Sequence, residues 1–190
     1  MKYKEVTDDR FRFVIDFGIK VPRTYAHFRQ MRDFKGRFDF AGTDPVREKV
    51  YKIEDGFNDG AFASSSFKLR ADRHCLVAIF QVMRSVSCDE ALGFLRMLGA
   101  DLVGGQGTTL LWPQAKSHIP EVRRVVSLDV RENLPVADIV RSWNGPYAID
   151  QKTGVPYIFR YSGDDVGFHF DPFDEGLGEK HCIACFKQEG

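Results

Sequence analysis

Cys75-Leu-Val-Ala-Ile-Phe80 is the longest unbroken apolar run in the chain, and its reading decides the fold. Burying each Leu, Val, Ile or Phe in full contributes about 1.5–3 kcal/mol, so such a run belongs at the centre of a core. Periodicity alone does not separate a buried strand from a buried helix. The β-branched Val77, Ile79 and Val82, and the short length, favour a central strand over Cys75–Met83. Downstream, Ser87-Cys-Asp-Glu90 has the form of a capping box, in which Ser87 accepts from the Glu90 backbone while Glu90 reaches back. Ala91, Leu92, Leu95 and Leu98 then recur at helical spacing, and Gly99 marks the stop. The next segment, Asp101 to Trp112, reads as two short strands joined by a turn at Gly104-Gly-Gln-Gly107.

Upstream, Arg10-Phe-Arg-Phe-Val-Ile-Asp-Phe17 alternates, which predicts a half-buried strand with Phe11, Phe13, Ile15 and Phe17 on one face. Helices are expected over Thr24–Phe34 and Thr43–Ile53, the latter with Asp44 as cap and Pro45 in the first turn, and a short strand over Arg37–Phe40. Glu54–Ser66 is the best loop candidate, and it divides the single domain of residues 1–190 into sub-units 1–66 and 67–190 if any boundary exists. Phe67–Arg70 reads as a strand. Toward the C-terminus, strands are expected at Arg123–Asp129, a helix at Asn133–Trp143, a hairpin of Tyr147–Asp150 with Pro156–Tyr161, and final strands at Val166–Phe170 and His181–Phe186. The fold class is therefore α+β: a mostly antiparallel sheet with three or four helices packed on one face. Cys75–Trp112 and Arg123–Tyr161 both read strand–helix–strand–strand, which suggests two similar β-α-β-β units.

With 27 basic and 27 acidic residues among 190, the formal charge is zero, which argues against a dedicated nucleic-acid binder. Six Lys or Arg against one acid between Lys20 and Arg37 face an acidic C-terminal segment, with seven acids and two lysines from Gly163 onward. The N-terminal residues lack an apolar run and predict no signal peptide, and no stretch approaches the ~20 apolar residues that span a bilayer. Four cysteines in a chain with this many core residues predict reduced thiols and a cytosolic protein.

No segment carries a strong catalytic signature. The glycine cluster at Gly104–Gly107 lacks the lysine of a phosphate loop and is expected to be a tight turn. His181-Cys-Ile-Ala-Cys185, with His74-Cys75, has the residue types of a zinc site, but on a strand Cys182 and Cys185 point to opposite faces. Cys88 opens a helix, a position that lowers thiol pKa values. The richest segment is Phe168-His-Phe-Asp-Pro-Phe-Asp-Glu175, where a histidine and carboxylates gather at a strand end. His169 and Asp171 are the candidates for general acid–base work, and Asp174, Glu175 and His181 for holding a divalent metal as cofactor. The leading expectation is a cytosolic protein with a protein partner, an inhibitor, adaptor or immunity-type factor. It rests on segregated charge and on 17 Phe, many beside Arg or Asp. The alternative is a small metal-assisted hydrolase built on His169–Glu175.

Overall fold

A computed structural model describes residues 3–21, 24–26, 50–52, 65–67, 72–111, 115–119, 123–134, 136–140, 149–160 and 166–187. Its strands are β1 (Phe11–Lys20), β2 (Thr24–Ala26), β3 (Val50–Lys52), β4 (His74–Val82), β5 (Asp101–Leu102), β6 (Arg124–Val126), β7 (Val136–Val140), β8 (Ile149–Arg160), β9 (Val166–Pro172) and β10 (His181–Lys187). The helices are α1 (Cys88–Met97), α2 (Gly104–Leu111) and the single turn α3 (Ala115–His118). Eight strands form one sheet in the order β1-β4-β10-β6-β8-β7, with β5 beside β10 and β9 beside β8. Every pairing in it is antiparallel except that of β10 with β6. The chain is thus a sheet-rich α+β protein, and no helix among the described residues is long and apolar enough to cross a membrane.

The apolar run at Cys75 is the strand β4, and both of its faces are covered. Val77 and Ile79 join one buried cluster, while Ala78, Phe80 and Val82 join the other. A strand buried on both sides reads as continuous apolar sequence rather than as alternation. Helix α1 lies on one face, inserting Ala91, Leu92, Phe94 and Leu95; α2 lies on the other, inserting Leu110 and Leu111. Helices therefore pack on two faces of the sheet, and the expected arrangement on one face does not hold. The capping box of α1 is present: the Glu90 N–H donates to Ser87 Oγ at 3.1 Å, and the Ser87 N–H donates to Glu90 Oε2 at 2.8 Å.

Strand β1 departs from its sequence pattern in an instructive way. Its register against β4 slips between Phe13 and Ile15, so that Phe13 faces Phe80 while Ile15 faces Ile79. Val14 is the extra residue of this bulge. One inserted residue turns every later side chain to the opposite face. Phe11 and Phe13 consequently pack with the α1-side cluster, and Ile15, Phe17 and Ile19 with the α2-side cluster.

Other expected elements are corrected. The segment expected to be a glycine turn and strand is α2. Its glycines serve close packing, since a Cβ on Gly107 would sit 2.6 Å from Val103 Cγ1 and 2.8 Å from Phe186 Cε2. The expected helix at Asn133–Trp143 is a 3₁₀ turn at Arg131–Asn133 followed by β7, whose β-branched Val136, Ile139 and Val140 pair with Ile149–Thr153 of β8. The expected hairpin across Lys152–Gly154 is one continuous strand, β8. Thr24–Ala26 and Val50–Lys52, expected to be helical, pair with each other as strands. The rest of those two helices, the Arg37–Phe40 strand and residues 68–70 lie outside the described residues. With a second helix at 104–111 and none described at 136–140, the two proposed β-α-β-β units are not alike.

Candidate functional site

Three strand ends converge beside the N-terminus of α1. His181 opens β10, Arg124 opens β6 opposite it in register, and Asp171 is the last residue but one of β9. Pro172 then ends β9 and starts the 3₁₀ turn Phe173–Glu175, and Gly176, at φ +71, redirects the chain toward β10. Leu177 forms an isolated antiparallel bridge with Val86, giving Leu177 N–H to Val86 O at 2.8 Å and Val86 N–H to Leu177 O at 2.9 Å. Between these segments lies a cleft of about 540 Å³. Ser85–Ser87 and Glu90 make one wall, residues 171–172 and 174–178 the other, and Arg124 and His181 complete the lining.

Asp171 is the hub. The Arg124 guanidinium lies over the Tyr157 ring, 5.1 Å from its centroid, and donates from Nη1 to both Asp171 oxygens at 3.0 and 2.9 Å. His181 Nε2 is 3.1 Å from Asp171 Oδ2, and the Gly178 N–H donates to Nδ1 at 2.9 Å. An Nδ1 that accepts leaves the proton on Nε2, which donates to Asp171. The His181 and Asp171 side chains are only 14% and 18% exposed, whereas those of Asp174 and Glu175 at the mouth are 60% and 59% exposed.

Of the residues singled out from sequence, Asp171 and His181 are in contact. Asp174 and Glu175 line the same cleft but are directed elsewhere: Asp174 accepts from Arg131 Nη1 and Nη2 at 2.7 and 3.0 Å, and Glu175 lies 3.9 Å from Lys152 Nζ. The Asp174 carboxylate raises the pKa of Arg131 above its usual value. No three His, Cys, Asp or Glu side chains among the described residues are placed to hold a metal. His169 pairs with Tyr157 in the β8–β9 ladder, and its side chain lies outside what the structure describes. Both ring nitrogens of His181 are engaged, so the ring offers no free lone pair as a general base in this geometry. Ser87 Oγ is committed to the helix cap, which leaves the exposed Ser85 hydroxyl and the carboxylates of the mouth as the outward-facing polar groups. Arg124, Ser85 and Glu90 were not legible as site residues, because nothing local marks them; strand order alone brings them together.

The cysteines are buried and free. Cys182 belongs to the α2-side cluster and Cys185 to the α1-side cluster, as alternation along a strand requires. Burial pushes their thiols up to about 11 and about 12. Cys88 is also raised, to about 12, by burial first and then by Asp89, Asp171 and Asp174. Desolvation outweighs the helix N-terminus there, and the expected lowering is reversed.

The glycine cluster has an occupant of its own. Asp129, fully buried, accepts from the backbone N–H of Ser66 and of Val130, each at 2.8 Å, and from the Ser65 and Ser66 hydroxyls. Its Oδ2 would be 2.3 Å from a Cβ on Gly104. The acidic group at the start of α2 is thus a side chain of the protein. Compared with protein families, curated proteins and solved structures, the chain matches none.

Proposed function

We propose that the protein acts by binding another macromolecule, in the manner of an inhibitor, adaptor or immunity-type factor, and that the cleft beside α1 receives a basic segment of that partner. The observation that carries this reading is the division of labour among its polar groups. The inner ones, Asp171, Arg124 and His181, satisfy one another. The outer ones in the lining are the carboxylates Glu90, Asp174 and Glu175, whose cationic neighbours Arg10, Arg131 and Lys152 stand outside the lining. Like charges at the mouth of a cleft favour a partner of opposite sign and speed its approach, an effect that salt weakens. A hydrolytic role is less well supported, because the histidine in the cleft has both nitrogens engaged. Free thiols at all four cysteines accord with a reducing compartment, and we assign the protein to the cytosol.

The test is affinity capture from the protein's own cells with three baits: the wild type, the double variant Asp174→Lys/Glu175→Lys, and Lys20→Glu as a remote charge reversal. A partner should be retained by the wild type and by Lys20→Glu, and lost with the cleft variant and at high salt. Identical capture by all three folded baits would defeat the assignment of the cleft.

A further inference from the structure

We infer that His181 is a pH-sensitive latch on the cleft wall, and that protonating its Nδ1 turns the Leu177–Gly178 peptide away from Val86. The Leu177–Gly178 peptide unit has two jobs. Its N–H, that of Gly178, donates to His181 Nδ1 at 2.9 Å. Its C=O, that of Leu177, accepts from the Val86 N–H at 2.9 Å. Because a peptide is planar, its two ends turn together.

A proton on Nδ1 converts that acceptor into a donor and sets two N–H groups against each other. The Gly178 carbonyl, 3.1 Å from Nδ1, is at hand to accept the new proton. Asp171 holds the other end of the ring in both states, since Nε2 donates to it in each. The ring therefore stays while the peptide moves, and Gly178, with no side chain, gives little resistance to the rotation. The Leu177 carbonyl then leaves Val86. The second bond of the bridge, from the Leu177 N–H to Val86 O, belongs to the preceding peptide and persists. Val86 immediately precedes the cap of α1, so the wall bearing Ser85–Ser87 loses one of its two ties and the cleft loosens in acid.

The charged groups around the ring are Asp171 from β9, Arg124 from β6, Glu90 from α1, and Asp174 and Glu175 from the 3₁₀ turn. Glu179 and Lys180 precede it along the chain, and Arg123, next to Arg124, donates to the Glu179 carbonyl.

The test is a pH titration of the full chain by NMR, following the His181 ring nitrogens and the amides of Gly178 and Val86. The expected result is the Nε2–H tautomer at high pH, with both amides shifting at the midpoint of the ring. The Val86 amide should exchange about tenfold faster in acid after correction for intrinsic pH dependence, the factor for one hydrogen bond of ordinary strength. His181→Asn keeps an acceptor near the Nδ1 position and cannot titrate there, so both amides should stay fixed. An Nδ1–H tautomer at high pH, a Val86 amide indifferent to the ring, or amides that still move in His181→Asn would each overturn the inference. No partner enters the experiment, so its outcome is separate from the fate of the binding proposal.

Discussion

Gly104 and Gly99 form a matched pair that isolates what the buried Asp129 cluster contributes. Both adopt left-handed backbone, at φ +56 and +63, so replacing either by alanine costs about 1–2 kcal/mol in backbone strain. At Gly99 nothing lies within 4 Å of the new Cβ, and strain is the whole expected effect. At Gly104 the Cβ would meet Asp129 Oδ2 at 2.3 Å and Ser65 Oγ at 2.4 Å, so the carboxylate must move. Asp129 is 0% exposed and is held by the N–H groups of Ser66 and Val130. Leaving a buried donor without its partner costs about 1–3 kcal/mol, so losing two such bonds costs about 2–6 kcal/mol beyond the strain. Against a total stability of about 5–15 kcal/mol, Gly104→Ala should leave the fold marginal or lost, whereas Gly99→Ala should remain folded. Urea unfolding followed by circular dichroism measures this directly. With a slope of about 2 kcal/mol per molar, Gly99→Ala lowers the midpoint by about 0.5–1 M. Equal midpoints for the two variants would refute the reasoning, because Asp129 would then have moved at no cost.

Two further outcomes follow from the titrating groups. The Glu90 carboxyl is held below its usual value, first by the Ser87 backbone N–H and then by the Ser87 hydroxyl. A depressed folded-state pKa contributes stability at neutral pH that disappears as the pH falls. Unfolding midpoints measured downward from pH 4.5 should therefore fall less steeply in Glu90→Gln than in the wild type, whose decline includes this group. The thiols of Cys88, Cys182 and Cys185, raised to about 12, about 11 and about 12, should be inert to a thiol-specific reagent at pH 8 in the native protein. All four cysteines should react once urea unfolds the chain; fast labelling of Cys88 in native protein, read by mass spectrometry, would contradict its burial.

What was legible in the sequence is what depends on neighbours along the chain. The capping box at Ser87 and Glu90 needs only residues three apart, and the continuous apolar run of β4 already implies cover on both faces. The stripe Phe11, Phe13, Ile15, Phe17 misled because a bulge is not written in hydrophobic period: the residue that slips, Val14, is as β-compatible as those that pair. Gly104–Gly107 misled because glycine serves both turns and tight packing, and Phe186, which demands the second use at Gly107, comes from β10, far along the chain. Asn133–Trp143 carried helix signals at its start, yet the edge offered by β8 decided in favour of strand pairing. In the cleft, the His181 and Asp171 segment was visible as chemistry; Arg124 was not, since nothing at 123–124 indicates that two intervening strands will bring a guanidinium to Asp171.

The position of β10 has a consequence for how the protein is made. Among the ten described strands it is the last in chain order, yet it lies in the middle of the sheet and alone joins β4 to β6 among the described residues. The β1–β4 pair with α1 and the β6–β9 group therefore wait as two half-sheets, each with an open apolar edge, until residues 181–187 emerge. Such pairing over long sequence separation is slow and leaves unpaired edges exposed. The vulnerable interval is then the one before residues 181–187 emerge, when both halves are without their common seam.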